Sequence, residues 1–375
     1  MSNNVFQGMQ RIVVKIGSTL LTDEQRRVNR DWLDGLAADL AEMRGAGHRL
    51  LIVSSGAVAI GSQVLGINPR RSRLEELQAA AAAGQVQLVY AYQEALSGHG
   101  IAAAQVLLTP DDTEQRRRFL NARGTLEKLL DHDVIPVINE NDTVATDELR
   151  YGDNDRLAAR VAQLVMADGL ILLSDVDGLY SADPRRDPDA QHIASAPAIT
   201  ERLLAMAGEP GSAIGSGGMA TKLLAAQIAT RAGCATVIAS GRVSRPLRAL
   251  AAGARCSVFA AADSPAAARK QWLAGILEVR GELRVDAGAA GALRNGNSLL
   301  PVGLCEVRGN FARGDAVMVV DSEGRELGRG LSSYASDEAA AIAGCRSEKI
   351  ESVLGYGGRS VMVHRDDLVL FGSGN

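Results

Sequence analysis

The sequence predicts an α/β protein with a mostly parallel sheet sandwiched by helices, followed by a small β-rich, barrel-like domain. Through about residue 258, short apolar runs rich in β-branched residues alternate with segments of helical period. The runs are uniformly apolar, which is typical of parallel strands covered on both faces. Beyond residue 279, short alternating runs punctuated by glycine and acidic residues predict a separate β-rich unit. We therefore predict domains at 1–258 and 279–375, joined by a linker at 259–278.

The first domain can be divided into strands and helices by these patterns. Its predicted strands are 11–16, 50–53, 102–108, 134–138, 170–173 and 236–239, and its predicted helices include 33–43, 78–96, 117–130, 155–166 and 223–230. In the second domain the predicted strands are 283–285, 303–308, 316–320, 326–332 and 360–363. Because ligands of open parallel sheets bind at the carboxyl ends of the strands, the polar loops after the strands of the first domain are the places to look for chemistry.

Composition limits the function further. The 375 residues are 46% hydrophobic and 22% charged with a net charge of −4, which excludes wholesale disorder and argues against a nucleic-acid partner. No apolar run reaches the ~20 residues of a membrane span, and no secretory signal precedes the first strand. The four cysteines and five histidines show no metal-ligand spacing and no triad. We expect a cytoplasmic protein with no membrane association, no metal held by its own side chains and no histidine base.

Residues 215–222 (GSGGMATK) form a glycine-rich run that ends in a lysine and leads into a predicted helix. Glycines let backbone N–H groups turn toward a ligand, and the helix start favours an anion, so the run is typical of a phosphate site. It is not a P-loop, because Thr221 precedes Lys222 and Leu223 follows it. Its partial match to a dinucleotide fingerprint is weak, since no buried strand precedes it. A flexible surface loop is the alternative interpretation.

Two further loops follow predicted strands and carry small polar residues. Lys15, Gly17 and Ser18 close the first strand, where a lysine contacts an anion or is simply solvated. Residues 54–57 (SSGA) follow the second strand and offer hydroxyl and N–H groups to a carboxylate or phosphate. An ordinary helix cap is the alternative for these serines.

Acidic and amide residues are concentrated in three other loops. Residues 139–142 (NEND) follow a strand, and 151–155 (YGDND) open a helix. One aspartate near Asp155 is explained by helix capping, but the others suggest a bound ammonium, Mg²⁺ or lysines held by charge. Residues 174–180 (SDVDGLY) lack the spacing of a Ca²⁺ loop and favour nucleotide contact.

In this order, the motifs closely resemble those of the amino acid kinase family, and residues 279–375 resemble a PUA domain. The resemblance covers nearly the whole chain, and within the family it is to members that phosphorylate glutamate. The motifs that carry it are VKIGS at 14–18, VSSGA at 53–57, NEND at 139–142, GDND at 152–155, SDVDG at 174–178 and GGMATK at 217–222, with VDAGA at 285–289, SLLPVG at 298–303, GNFARGD at 309–315 and VHRDD at 363–367 in the tail.

The resemblance implies phosphorylation of the side-chain carboxylate of L-glutamate by ATP with Mg²⁺, the first step of proline biosynthesis. It implies that Lys15 and Lys222 are the catalytic cations and that Asp155 orients them. The residues implied to bind glutamate are Ser55, Asp142 and Asn154. The residues implied to contact the nucleotide are Lys15, Ser174, Asp175, Ser216, Gly217, Gly218, Met219, Ala220, Thr221 and Lys222.

The missing histidine base fits this activity, since a carboxylate with an ordinary pKa of about 4.3 is already ionised at neutral pH. Family members are also commonly homo-oligomers, dimers or tetramers, and are inhibited by proline. Two alternatives stay open: a family member acting on aspartate, N-acetylglutamate or uridylate, and an RNA-binding role through the PUA domain.

Overall fold

The computed structural model describes residues 4–144, 154–207, 218–275 and 278–371. The chain divides into a first unit, Met1–Glu114 with Ala122–Pro265, and a second unit, Gln115–Asn121 with Ala266–Asn375. In the part of the chain that is described, every helix is too short or too polar to cross a membrane. The predicted boundaries at 258/259 and 278/279 stay a prediction.

The first unit alternates strands with helices through most of its length. Its elements in chain order are β1 (Arg11–Ile16), α1 (Ser18–Leu21), α2 (Arg30–Gly45), β2 (Arg49–Ser54), α3 (Ala57–Leu65), α4 (Leu74–Ser97), β3 (Ala103–Leu108), α5 (Pro110–Glu114), α6 (Arg116–Asp131), β4 (Ile135–Glu140), α7 (Asn154–Leu164), β5 (Gly169–Ser174), β6 (Leu179–Tyr180), β7 (His192–Ile193), β8 (Ser195–Ala196), α8 (Glu201–Met206), α9 (Met219–Arg231), β9 (Ala235–Ser240), α10 (Pro246–Ala251) and β10 (Cys256–Phe259). The first residues of α6, up to Asn121, belong to the second unit.

An eight-stranded sheet in the order β3-β4-β2-β1-β5-β9-β10-β8 forms the centre of the first unit. Its neighbouring strands are parallel except for β9 and β10, which pair antiparallel. β1 lies inside the sheet, with Lys15 opposite Val53 of β2 and Leu172 of β5. The predicted mostly parallel α/β fold is confirmed.

Side-chain alternation along β1 divides the two faces of the sheet. Ile12, Val14 and Ile16 belong to a buried core that also contains residues of α2 and α4. Successive side chains of a strand point to opposite faces, so Val13 and Lys15 point away from that core. α7 and α9 pack on each other and on the sheet, and α7 supplies Asp155, the ion-pair partner of Lys15. The buried lysine on this face therefore has its partner on a helix.

The second unit has its own core and a five-stranded sheet in the order β12-β11-β13-β14-β15. Its elements are α11 (Pro265–Ala274), β11 (Gly281–Val285), α12 (Ala287–Arg294), β12 (Leu304–Gly309), β13 (Ala316–Val320), β14 (Glu326–Leu331), α13 (Ser336–Ala341), α14 (Ile350–Leu354) and β15 (Leu368–Leu370). The predicted β-rich character is confirmed.

One predicted strand of the second unit is wrong. Residues 360–363 form no ladder, and Val363 makes an isolated bridge to Leu299. The last strand is instead Leu368–Leu370, which pairs antiparallel with β14. The apolar pair Met362 and Val363 is fully buried in the core, which explains why its pattern resembles a strand.

Candidate active site

Three charged residues from three elements meet beside the carboxyl end of β1. Lys15 Nζ lies 2.6 Å from Asp155 Oδ1, and Lys222 Nζ lies 3.0 Å from Asp155 Oδ2. We call this set the lysine–aspartate cluster. Its members are 4%, 1% and 3% exposed in chain order, so none is a solvated surface charge.

The local sequence explains how these side chains arrive. Lys15 is the penultimate residue of β1, and Asp155 lies in the first turn of α7. Lys222 is one turn into α9, which begins after Gly218. Thr221 on the same turn places its hydroxyl 3.1 Å from Asp155 Oδ2 and 2.9 Å from the carbonyl of Gly218. The lysine-bearing turn is thus tied to Asp155 at two points.

The electrostatics of the cluster favour ionised groups. Burial alone would raise the pKa of Asp155, but the charges and hydrogen bonds of Lys15 and Lys222 outweigh burial and lower that pKa to about 2. Asp155 is therefore a carboxylate at neutral pH. One negative charge between two ammonium groups leaves a buried surplus of positive charge, which attracts an anion.

Two of the predicted glutamate-binding residues contact each other next to this cluster. Asn154 Nδ2 donates toward Ser55 Oγ at 2.9 Å, Ser54 O at 3.0 Å and Asn139 Oδ1 at 3.1 Å. Asn154 is 5% exposed and its Oδ1 has no hydrogen-bond partner in the described ranges. An unpaired buried acceptor costs free energy unless a ligand supplies a donor, so this atom marks a binding position.

The third predicted glutamate-binding residue, Asp142, begins a short 3₁₀ turn two residues after β4 ends. Burial, together with the neighbouring charge of Glu140, raises the pKa of the half-buried Asp142 to about 7. A carboxyl that pays for desolvation in this way gains most from a cationic partner.

The predicted nucleotide residues lie on two elements. Ser174 ends β5, is 6% exposed and donates to Asp175 Oδ1 at 3.0 Å. Asp175 lies outside the sheet, and its carbonyl accepts from Arg242 Nε at 3.0 Å. Gly218, Met219, Ala220, Thr221 and Lys222 form the start of α9. Ser216 and Gly217 lie outside the described residues, as do 151–153.

Sequence reasoning overlooked several residues that surround the site. Asn139 stands inside a motif that was recognised, but no role was predicted for it. The same holds for Ser54, which stands in the SSGA motif at 54–57, whereas Arg242 and Gln85 had no motif to reveal them. For Gln85 a signal exists: it is a polar residue on the apolar face of α4, between the buried Ala81 and Leu88.

The described residues contain no group of three or more histidine, cysteine or acidic side chains able to hold a metal ion. We therefore assign no side chain as a ligand of Mg²⁺. Phosphate oxygens and water are common Mg²⁺ ligands, so a nucleotide can bring the ion with it.

The sequence matches the amino acid kinase family over residues 10–240 and the PUA domain over residues 281–354. This chain belongs to the amino acid kinase family. It is similar to three curated glutamate 5-kinases. The protein of Paramagnetospirillum magneticum is 55% identical, with 97% of this chain and 98% of that protein covered. Glutamate 5-kinase 1 of Rhizobium meliloti is 53% identical, with 98% of this chain and 94% of that protein covered. The glutamate 5-kinase of Caulobacter vibrioides is 55% identical, with 98% of each chain covered.

Two solved structures are also similar to the chain. UMP kinase from Ureaplasma parvum has 16% sequence identity and a TM-score of 0.48, with 67% of this chain and 98% of that chain covered. Carbamate kinase from Giardia lamblia bound to AMP-PNP has 19% identity and a TM-score of 0.48, with 69% and 99% covered.

Proposed function

We propose that this protein transfers the γ-phosphoryl group of ATP to the side-chain carboxylate of L-glutamate, the first step of proline biosynthesis. The lysine–aspartate cluster at the carboxyl end of β1 is the observation that carries the proposal. The glutamate 5-kinases that cover almost the whole chain support the choice of glutamate over aspartate, N-acetylglutamate or uridylate.

In the proposed reaction an oxygen of the glutamate side-chain carboxylate attacks the γ-phosphorus of ATP. A new carboxylate oxygen–phosphorus bond forms, the bond to the β,γ-bridging oxygen breaks, and ADP leaves with that bond's electron pair. The nucleophile is already ionised at neutral pH, so no general base is needed. The cost lies in bringing one anion against another, which positioning and cations reduce.

Each member of the lysine–aspartate cluster has a role in this step. Lys15 and Lys222 lie on opposite oxygens of one carboxylate, so Asp155 fixes the distance between the two ammonium groups. We assign the lysines to the oxygens of the transferring phosphoryl group and Asp155 to their orientation. Bound Mg²⁺ would add charge neutralisation at the phosphates.

We assign glutamate to Ser55, Asn154 and Asp142, and the nucleotide to Ser174, Asp175 and the first turn of α9. The unpaired acceptor of Asn154 and the raised pKa of Asp142 both suit an amino acid that carries an ammonium group. Inhibition by proline, assembly into dimers or tetramers and a cytoplasmic location stay predictions.

An acyl phosphate reacts with hydroxylamine, which provides the test. The purified protein is incubated with ATP, Mg²⁺ and hydroxylamine, and L-glutamate, L-aspartate and N-acetylglutamate are each tested as the acceptor. A separate assay with UMP as the acceptor follows the release of ADP. We expect hydroxamate with L-glutamate alone. Hydroxamate only with another acceptor, or ADP release only with UMP, would refute the proposal.

A further inference from the structure

Three amide side chains from three separate elements form one continuous hydrogen-bonded chain behind the proposed glutamate site. Asn139 Nδ2 of β4 donates to Gln85 Oε1 of α4 at 2.7 Å, and Asn154 Nδ2 of α7 donates to Asn139 Oδ1 at 3.1 Å. All three residues are buried, at 8%, 1% and 5% exposed in chain order. We call Gln85, Asn139 and Asn154 the amide relay.

Backbone groups fix which way each amide of the relay points. The backbone N–H of Glu140 is a donor only, and it bonds to Asn139 Oδ1 at 2.9 Å. Asn139 must therefore turn its Nδ2 toward Gln85, and Gln85 Oε1 accepts the hydrogen bond. At the other end, the carbonyl of Ser54 is an acceptor only and takes Asn154 Nδ2 at 3.0 Å. Asn154 Oδ1 is consequently left facing away from all three partners.

The orientation of Asn154 determines what the site can recognise. Its Oδ1 is a buried acceptor without a partner among the residues described. At neutral pH both carboxylates of L-glutamate are ionised, so its ammonium group carries its only N–H donors. Ser55 Oγ lies 2.9 Å from the donor Asn154 Nδ2, so the serine hydroxyl does not donate to Asn154 and keeps its own hydrogen for a substrate oxygen.

Gln85 is an unfavourable choice for its position on stability grounds alone. Its Oε1 is paired, but its Nε2 is buried and has no partner in the described part of the chain. A buried unpaired donor costs about 1–3 kcal/mol, which an apolar side chain of similar volume would avoid. Its one hydrogen bond leads to Asn139, and through Asn139 to the substrate-binding amide.

We propose that Gln85 is a positioning residue of the glutamate site: through Asn139 it holds Asn154 with Oδ1 toward the substrate ammonium. This inference rests on the proposed function. Gln85 does not touch substrate; its effect passes through two other side chains. Without that acceptor, Asn139 keeps its bond from the backbone N–H of Glu140 but loses the bond at its other end, so its amide and the Asn154 amide bonded to it are held less firmly.

The test compares Gln85→Met with Gln85→Glu in the full chain. The methionine side chain keeps the length of Gln85 but removes the acceptor. The glutamate side chain of Gln85→Glu keeps an acceptor oxygen for Asn139 Nδ2. We expect Gln85→Met to raise the KM for L-glutamate about 10-fold or more, with the KM for ATP and kcat within about 2-fold of the wild type. Gln85→Glu should recover most of the glutamate affinity. Gln93→Met, an exposed change on the same helix, is the matched control and should leave all three constants unchanged.

Glutarate, which lacks the ammonium group, separates a positioning role from a merely structural one. Its inhibition constant against glutamate should be the same in the wild type and Gln85→Met. Equal losses of glutamate and glutarate binding, or an unchanged glutamate KM, would overturn the inference while leaving the proposed function intact. If Gln85→Met does not fold, Gln85→Glu decides: a normal glutamate KM is expected, and a 10-fold increase overturns the inference. A wild-type protein without glutamate-dependent turnover would overturn both proposals.

Discussion

At the scale of single residues, Asp155 is the centre of the candidate site. Both of its oxygens lie within 3.0 Å of an ammonium nitrogen, and Thr221 adds a hydroxyl contact. The three charges are not equivalent. Removal of one lysine leaves a balanced pair, whereas removal of the carboxylate leaves two buried cations facing each other.

We predict different consequences for these changes. Lys15→Ala and Lys222→Ala should each reduce kcat by about 10²-fold or more, because each lysine stabilises charge that develops on the phosphoryl group. Their unfolding free energies should fall less than that of Asp155→Asn, which should lose about 3 kcal/mol or more. Steady-state kinetics and urea unfolding measure the two effects.

An exposed lysine provides the control for this comparison. Lys270→Ala should match the wild type in both turnover and unfolding, since Lys270 is exposed and belongs to the second unit. Near-normal turnover in both active-site lysine variants would contradict the proposed mechanism.

Asp142 predicts a pH dependence of glutamate binding. Burial and Glu140 raise its pKa to about 7, so the carboxyl is neutral below that pH and ionised above it. An ammonium group requires the ionised form, so kcat/KM for glutamate should rise with pH through about 7 and then level off. For folding the sign is opposite: the raised pKa contributes stability below the ordinary pKa of about 3.8, and this contribution is lost as pH rises through about 7.

Rate measurements between about pH 5.5 and 8 check this expectation, because glutamate itself does not titrate in that window. Asp142→Asn should flatten the profile near pH 7 while weakening glutamate binding at high pH. A wild-type profile that is level across the window would contradict it.

Local sequence predicts the charged residues of the candidate site but not Gln85. Lys15, Asp155 and Lys222 each stand beside glycines or at a helix start, and the structure brings these three together. Gln85 contacts Asn139, which is 54 residues away, and along α4 it follows a run of five alanines and Gly84. Such a contact depends on how α4 packs against the sheet, which periodicity alone does not specify.

At the scale of elements, two glycines allow α3 and α4 to approach closely. A Cβ on Gly61 would overlap the carbonyl oxygen of Ala80, and one on Gly84 would overlap that of Ala57. The backbones of the two helices therefore touch at this crossing. Gly84 directly precedes Gln85, so the close crossing of α3 and α4 also positions Gln85, the first residue of the amide relay.

We predict that Gly84→Ala will destabilise the first unit by about 1–3 kcal/mol, because the helices must separate to admit the methyl group. It should also raise the KM for glutamate by displacing Gln85. Gly98→Ala, at the end of α4, is the matched control: its Cβ meets only Ala95 O at 3.6 Å, and its φ of −57° suits any residue. That control should be neutral or slightly stabilising.

Thermal unfolding and glutamate kinetics of the two variants test the expectation. If Gly84→Ala and Gly98→Ala unfold at the same midpoint temperature, the close approach of α3 and α4 is contradicted.

Each of the six predicted strands of the first unit overlaps a strand of the sheet, but β8 and β10 of the same sheet were not predicted. The antiparallel direction of β10 was not predictable from its own four residues, because short apolar strands look alike in either direction. The wrong strand at 360–363 has a similar cause. Apolar residues buried in a loop give the same pattern as a strand, and only the ladder distinguishes them.

At the scale of the whole molecule, the net charge of residues 279–371 bears on the RNA-binding alternative. Residues 279–371 contain 11 lysines and arginines and 13 aspartates and glutamates, a net charge of −2. Affinity for nucleic acid comes largely from contacts between cations and phosphates. We predict that the full chain shows no salt-dependent binding of a fluorescent RNA hairpin at about 0.15 M salt in an anisotropy titration. Tight binding that weakens as salt is added would contradict this and revive an RNA-binding role.

The position of β1 has a consequence for how the enzyme loses its activity. Lys15 lies on a strand that is hydrogen-bonded on both sides, with all but its first residue buried. Amides in such strands exchange with solvent only when most of the protein opens, unlike those of edges and loops. We therefore expect the strand that carries Lys15 to be among the last parts of the first unit to open, so fraying of edges and loops leaves this lysine in place.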